Sequence, residues 1–122
     1  MRLITGEAQG RDLHVECRYE TGDPFAVRLD FGADEGAVWV VARDLLAAGL
    51  RGPVGEGDVR IEPSGTGEHV FIALGCRDGV ALLKAPTRPL ARFLRATGRL
   101  VPVGTESDRI DWDRCISDLL SA

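Results

Sequence analysis

Strict alternation of apolar and polar side chains between residues 13 and 31 constrains the fold more than any other feature of the sequence. A period of two is typical of a strand that buries one face, and the pattern occurs twice with a short break. The break, "TGDP", contains Gly22 and Pro24, which favour a tight turn. The stretch therefore predicts a β-hairpin with one face on a core. The predicted core-facing residues are Leu13, Val15, Cys17 and Tyr19 in the first strand and Phe25, Val27, Leu29 and Phe31 in the second.

The segment after the hairpin changes from a strand pattern to a helix pattern. "VWVV", residues 38–41, is apolar on both faces, which predicts a strand that is central in its sheet or covered on both sides. In "ARDLLAAGL" three leucines fall within one arc of a helix, and Gly49 and Gly52 are predicted to end it. "RGPVGEGD", residues 51–58, is interpreted as a loop. It lacks the lysine and hydroxyl residue of a phosphate-binding loop, and no helix follows it.

The second half of the chain contains three short strand patterns and two helix patterns. The strands are "DVRIEP", "HVFIALG" and "VALLKA", separated by glycine-containing turns. A helix is predicted to begin with Thr87 as its N-cap and to end at Gly98. Its buried side is predicted to hold Leu90, Phe93, Leu94 and Thr97. A last helix, capped by Asp108 or Asp111, is predicted to bury Trp112, Cys115, Ile116, Leu119 and Leu120.

The order of these elements indicates the fold class. Strands, helix, strands, helix and helix predict antiparallel sheets with three helices packed against them, which is an α+β fold. The chain has 122 residues and no linker-like stretch, so we expect a single domain over residues 1–122.

Residues that could carry out chemistry are scattered through the sequence. The three cysteines, Cys17, Cys76 and Cys115, are widely spaced and are interpreted as buried free thiols. The two histidines, His14 and His69, have no carboxylate, cysteine or nucleophile at a recognisable spacing. We therefore expect no catalytic set, no metal site and no cofactor.

Charge and hydropathy limit the possible partners and the location. A net charge of -4 argues against broad binding to nucleic acid, because that affinity comes from clustered lysine and arginine. The first residues are not followed by the apolar run of a signal peptide, and no segment is long and apolar enough to cross a bilayer. A cytoplasmic protein is expected.

One cluster of charge stands out in the second predicted helix. Four arginines fall within about 60° of one another on a helical wheel, opposite the predicted buried side. They are Arg88, Arg92, Arg95 and Arg99. One interpretation is an ordinary solvated helix face. The other is a docking surface for an acidic peptide, because arginine pairs bidentately with carboxylates.

Three segments of the sequence together resemble a known family. They are "RYETGDPFAVRLDF", "VWVVARDLLAAGLRGPVGEGDVRIEPS" and "PLARFLRATGRLVPVGTE". They contain, in order, the motifs R-Y-x-x-x-D-P, A-R-D-L-L, G-x-G-D-V, P-L-x-x-F-L and L-V-P-x-G-T-E. The segments closely resemble the SsgA-like proteins, the sporulation and cell-division regulators of actinomycete bacteria, and the resemblance runs from about Leu3 to Leu120.

The resemblance implies a small cytoplasmic scaffold protein at division septa, without known catalysis or cofactor. Such proteins help to choose division sites, recruit the tubulin-like division protein FtsZ and influence septal peptidoglycan synthesis. Expected partners are therefore FtsZ, another SsgA-like protein or other septation proteins. The resemblance also implies two antiparallel sheets in a fold similar to the whirly single-stranded nucleic-acid binders, assembled as a trimer.

Two further hypotheses and one difference from the family remain at this point. The chain is alternatively a whirly-like regulator that binds single-stranded nucleic acid, or an unrecognised enzyme that modifies peptidoglycan. Family members usually begin with a longer first strand than "MRLIT" allows, which leaves two alternatives: the true start lies upstream, or the first edge strand is short.

Overall fold

Two antiparallel sheets and two α-helices make up the part of the chain that the computed structural model describes, residues 2–3, 11–32, 36–76 and 79–109. The predicted α+β class with two antiparallel sheets is confirmed. The third predicted helix, with its stripe from Trp112 to Leu120, lies outside the described residues.

The smaller sheet contains the hairpin that the alternation predicts. Its strands are β3 (Glu16–Arg18), β4 (Ala26–Asp30) and β5 (Val38–Ala42), in the order β3-β4-β5. Cys17 lies opposite Leu29, which lies opposite Trp39 on the next strand. Seven of the eight predicted inward residues are buried or half-buried, so the predicted face is largely confirmed.

Phe25 is the exception on that face, with 44% of its surface exposed. It precedes the first residue of β4 and belongs to the turn, where the alternation of a strand does not apply. Its neighbour Pro24 is fully buried in its place. The prediction for Phe25 was wrong for that reason.

The prediction for β5 was also wrong in one respect. Among the described strands β5 pairs only with β4, so it lies at an edge of the smaller sheet. Val41 is buried and Trp39 is half-buried, whereas Val38 and Val40 are 55% and 56% exposed on the other face. The apolar residues on both faces of β5 therefore did not indicate a central strand. The face with Val38 and Val40 is not covered by any of the described residues.

The larger sheet contains the other six strands in the order β2-β1-β9-β8-β7-β6. They are β1 (Arg2–Leu3), β2 (Arg11–Asp12), β6 (Val54–Glu56), β7 (Val59–Pro63), β8 (His69–Cys76) and β9 (Gly79–Pro86). The segment interpreted as a loop, residues 51–58, contains β6 and a turn at Gly57, whose positive φ of 58° suits glycine. Short strands between glycines are easily taken for loops.

The two helices pack on the sheets. They are α1 (Arg43–Gly49) and α2 (Thr87–Leu100), and a short 3-10 helix covers Glu106–Arg109. At the end of α1, buried Gly49 lies directly against Ile61 of β7. The shared core contains Val27, Leu29, Val41, Leu46, Ile61, Val70, Ile72, Leu74, Leu83, Ala85 and Leu90. It therefore joins both sheets and both helices.

Candidate partner-binding surface

The four arginines of α2 lie together on its exposed face, and we call them the arginine ridge. They are Arg88, Arg92, Arg95 and Arg99, and all four side chains are exposed. Leu90 and Thr97 are buried on the opposite side of the helix, and Phe93 and Leu94 are half-buried, as predicted. Within the described residues the ridge forms no ion pair. Its positive charge is thus not neutralised by a described carboxylate.

The start of α2 differs from the prediction. Thr87 is the first residue of the helix, whereas Pro86, in extended conformation, occupies the N-cap position. The Thr87 N–H donates to the Glu68 carbonyl at 3.0 Å, and in the described part of the chain its buried hydroxyl has no hydrogen-bond partner. The N-cap prediction was wrong because β9 continues through Pro86 and passes directly into the helix.

The end of α2 is held by an arginine from another helix. The Arg43 guanidinium donates to the carbonyl of Thr97 at 3.2 Å and to that of Val101 at 2.8 Å. The Thr97 carbonyl also accepts the Val101 N–H at 2.9 Å, so Arg43 gives it a second hydrogen bond and supplies the donor for the Val101 carbonyl just beyond the helix. Gly98 was predicted to end the helix, but the helix continues to Leu100, since Arg43 rather than a glycine satisfies its last turn.

Arg43 is itself buried and paired. It is 3% exposed, and its Nη2 lies 2.7 Å from Oε1 of Glu106, which is also buried. The second carboxylate oxygen of Glu106 accepts the Gly104 N–H at 2.9 Å. The Arg43 guanidinium carbon lies 5.1 Å from the centre of the Tyr19 ring, within the range of a cation–π contact. We call Arg43, Glu106 and Tyr19 the buried ion-pair cluster.

The buried ion-pair cluster joins three motifs that are far apart in the sequence. Tyr19 belongs to R-Y-x-x-x-D-P, Arg43 to A-R-D-L-L and Glu106 to L-V-P-x-G-T-E. The Tyr19 hydroxyl also donates to the Pro24 carbonyl at 2.8 Å, and Arg28 pairs with Asp23 at 3.2 Å. These polar residues therefore fasten the hairpin, α1 and the end of α2 to one another. Neither Arg43 nor Glu106 was among the residues predicted to be functional. Arg43 is a charge within a mainly apolar segment, which is a signal of a buried ion pair, whereas Glu106 lies in the polar run "GTESDR" and has no such signal.

Acid should weaken the buried ion-pair cluster. The Arg43 hydrogen bond, followed by backbone N–H groups including that of Gly104, holds the pKa of the Glu106 carboxyl below its ordinary value of 4.5. A carboxyl with a lower pKa in the folded state contributes its full stabilisation above that ordinary value, and the contribution is lost as the pH falls through the lowered pKa. We expect the melting temperature to fall more steeply in this acid range for the wild type than for Glu106→Gln, which cannot titrate there. Thermal melts monitored by circular dichroism give the melting temperature of each protein at each pH. If the melting temperatures of the two proteins fell in parallel with pH, the expectation would be contradicted.

The remaining residues considered for chemistry lie apart. His14 is exposed, His69 is half-buried in β8, and Cys17 is a half-buried free thiol whose pKa is raised by burial. In the described ranges no group of three or more His, Cys, Asp and Glu side chains is arranged to hold a metal ion. Neither described α-helix is long and apolar enough to cross a membrane.

Comparison with known proteins identifies relatives over nearly the whole chain. A family described as Streptomyces sporulation and cell division protein, SsgA, matches residues 13–106. The sporulation-specific cell division protein SsgB of Streptomyces coelicolor is 45% identical over 99% of this chain and 91% of its own length. The protein of the same name from Thermobifida fusca is 42% identical over the same shares of the two chains.

Solved structures have the same architecture. The SsgA-like sporulation-specific cell division protein of Thermobifida fusca superposes with a TM-score of 0.82 at 41% identity, covering 96% of this chain and 88% of the other. A second solved structure is described by the finding that mutations in SsgB correlate to longitudinal cell division during sporulation of Streptomyces coelicolor. It gives a TM-score of 0.79 at 46% identity, and the match covers 88% of each chain.

Proposed function

Because the chain belongs to the SsgA family of sporulation and cell division proteins, we propose that it is a non-enzymatic adaptor in sporulation-specific septation. It positions or recruits the septation machinery at division sites in the cytoplasm, with FtsZ or another SsgA-like protein as its direct partner. Through that recruitment it influences septal peptidoglycan synthesis. No cofactor enters this function.

The arginine ridge is the observation that supports an adaptor most directly. The chain has a net charge of -4, yet four exposed arginines share one face of α2. Arginine forms two parallel hydrogen bonds with a carboxylate and so favours acidic partners with a defined geometry. The buried ion-pair cluster adds to this, because it fixes the end of the helix that carries the ridge. A rigid helix binds a partner with less loss of conformational freedom.

The adaptor is proposed to act as a homo-oligomer, most simply a trimer. The outer face of β5 supports assembly, since Val38 and Val40 are more than half exposed on an edge strand. Exposed apolar edge strands favour pairing with another chain. Light scattering gives the mass of the assembly.

Charge reversal on the arginine ridge tests the adaptor function. We expect Arg92→Glu/Arg95→Glu to weaken FtsZ binding about tenfold or more and to remove a fluorescent fusion from septa, because two attractive contacts become repulsive. The matched control is Arg51→Glu/Arg60→Glu, which reverses two exposed arginines elsewhere and changes the net charge equally. Unchanged circular dichroism must accompany both variants. Normal binding and normal localisation of the ridge variant would remove the ridge from the proposal.

A second candidate function is that of a whirly-like regulator binding single-stranded nucleic acid. Four exposed arginines on one helix are compatible with phosphate contacts, which release counterions and depend steeply on salt. The acidic net charge and the lack of an exposed row of aromatic side chains among the described residues favour the adaptor. Binding of labelled single-stranded DNA at low salt that weakens steeply as salt is added would favour this second function instead.

A further inference from the structure

A cavity of about 360 Å³ opens beside the arginine ridge, between the smaller sheet and the start of α2. Its apolar lining comes from three parts of the chain and includes Val15, Cys17, Ala85, Pro89, Leu90 and Phe93. Two exposed polar side chains, His14 and Glu16, also line it. The cavity is at the small end of the range for ligand sites, so it suits one bulky side chain better than a folded element.

An apolar stripe runs along α2 parallel to the arginine ridge. Its members each follow one arginine of the ridge by a single residue and are Pro89, Phe93, Ala96 and Leu100. Pro89, Ala96 and Leu100 are exposed, with Leu100 at 54%, and Phe93 is half-buried. One residue corresponds to about 100° around a helix, so the stripe is the flank next to the ridge. The cavity lies at its Pro89 and Phe93 end.

We propose that the arginine ridge, the apolar stripe and the cavity form one composite site for an acidic peptide segment with a bulky apolar anchor. The anchor enters the cavity, and the carboxylates on either side of it pair with the arginines. The inference rests on the proposed adaptor function and specifies the kind of partner segment that the adaptor binds.

The spacing of the ridge fits an extended peptide. Residues four apart on a helix are separated by about 6 Å along the axis, as are Arg88 and Arg92 or Arg95 and Arg99. Alternate side chains of an extended strand point the same way and are about 6.6 Å apart. Two alternate carboxylates of an extended segment can therefore meet Arg88 and Arg92, or Arg95 and Arg99, while the anchor between them points to the other side of the strand and reaches the neighbouring stripe. An acidic partner also complements a ridge without a described ion pair.

Peptide probes test the composite site without altering the protein. The probe is a short fluorescein-labelled peptide with a central phenylalanine flanked by glutamates, measured by fluorescence anisotropy with the full chain. We expect replacement of the phenylalanine by serine to weaken binding about tenfold, because the anchor loses its burial. Replacement of the glutamates by glutamine is expected to weaken it at least as much. Equal affinity with phenylalanine and serine would overturn the composite site.

A variant at the mouth of the cavity provides the matched test on the protein side. Pro89→Trp adds bulk at an exposed position that lines the cavity, and its control is Val103→Trp, which places the same side chain at a 75% exposed position outside the lining. The Pro89 variant should weaken the phenylalanine peptide about tenfold and leave the serine peptide unchanged, whereas the Val103 variant should affect neither. If the Pro89 variant binds both peptides like the wild type, the anchor does not enter the cavity.

Nuclear magnetic resonance separates the proposed occupant from another copy of the chain. The phenylalanine peptide should shift the amide resonances of Val15, Cys17 and Phe93 at constant protein concentration. If these resonances move with protein concentration and do not respond to peptide, a second copy occupies the cavity and the proposal is overturned. The adaptor function would survive either failure as long as Arg92→Glu/Arg95→Glu still abolishes septal localisation, so the two results are distinguishable.

Discussion

Replacing Arg43 with methionine is expected to destabilise the protein by about 3–5 kcal/mol, the range found when one partner of a buried ion pair is removed. The change leaves the Glu106 carboxylate buried without its cation. It also removes the donors to the Thr97 and Val101 carbonyls at the end of α2. Methionine has a long unbranched side chain, so the loss comes chiefly from charge and hydrogen bonding and much less from an empty volume.

Urea unfolding of matched variants measures this effect. The control is Arg51→Met, because Arg51 is exposed just beyond α1 and should change stability by less than about 0.5 kcal/mol. The double variant Arg43→Met/Glu106→Met should be more stable than Arg43→Met alone, since it leaves no unpaired buried charge. An Arg43→Met protein as stable as Arg51→Met would show that the buried ion-pair cluster does not hold α2 in place.

Gly49→Ala should have the second largest effect on stability, about 1–3 kcal/mol or more, because it forces an extra carbon into a packed contact. A β-carbon at Gly49 would lie 2.6 Å from the β-carbon of Ile61 and closer still to a methyl group of the same side chain. Ile61 is 1% exposed and belongs to the shared core, so a shift of its side chain would disturb its packed neighbours. Helix α1 would have to shift away from β7, and Arg43 at its first residue would move with it.

The control for Gly49→Ala is Gly98→Ala. Gly98 lies inside α2, and a β-carbon there meets nothing within 4 Å. Alanine favours helix more than glycine does, so this variant should be as stable as the wild type or up to about 1 kcal/mol more stable. Thermal or urea unfolding of the two variants gives the comparison. Equal midpoints for both would contradict close packing of α1 against β7.

Sequence patterns predicted the parts of the fold that depend on near neighbours. The hairpin from Glu16 to Asp30 follows from alternation, and the buried side of α2 follows from helical periodicity. The edge position of β5 did not follow, because a strand's neighbours in a sheet depend on the whole topology. The predicted end of α2 at Gly98 was wrong because nothing local in the sequence reveals that Arg43 reaches the last turn.

One part of the candidate site could likewise be predicted from the sequence, and the rest could not. The arginine ridge could be predicted because its members share one helix and a fixed angular period. The cavity beside it could not, since Val15 and Cys17 come from the hairpin region while Ala85 and Phe93 come from β9 and α2. The apolar stripe could not be recognised from the sequence, because two of its members, Pro89 and Ala96, are residue types that indicate exposure as readily as burial.

The ion pair between Arg43 and Glu106 joins residues 63 positions apart, and this separation determines when it forms during folding. Closing so long a loop costs conformational entropy, so we expect the hairpins to assemble first and the pair to form after the folding transition state. Interactions absent from that transition state barely change the folding rate but slow unfolding. The pair would then govern the lifetime of the native molecule rather than the speed at which the chain reaches it.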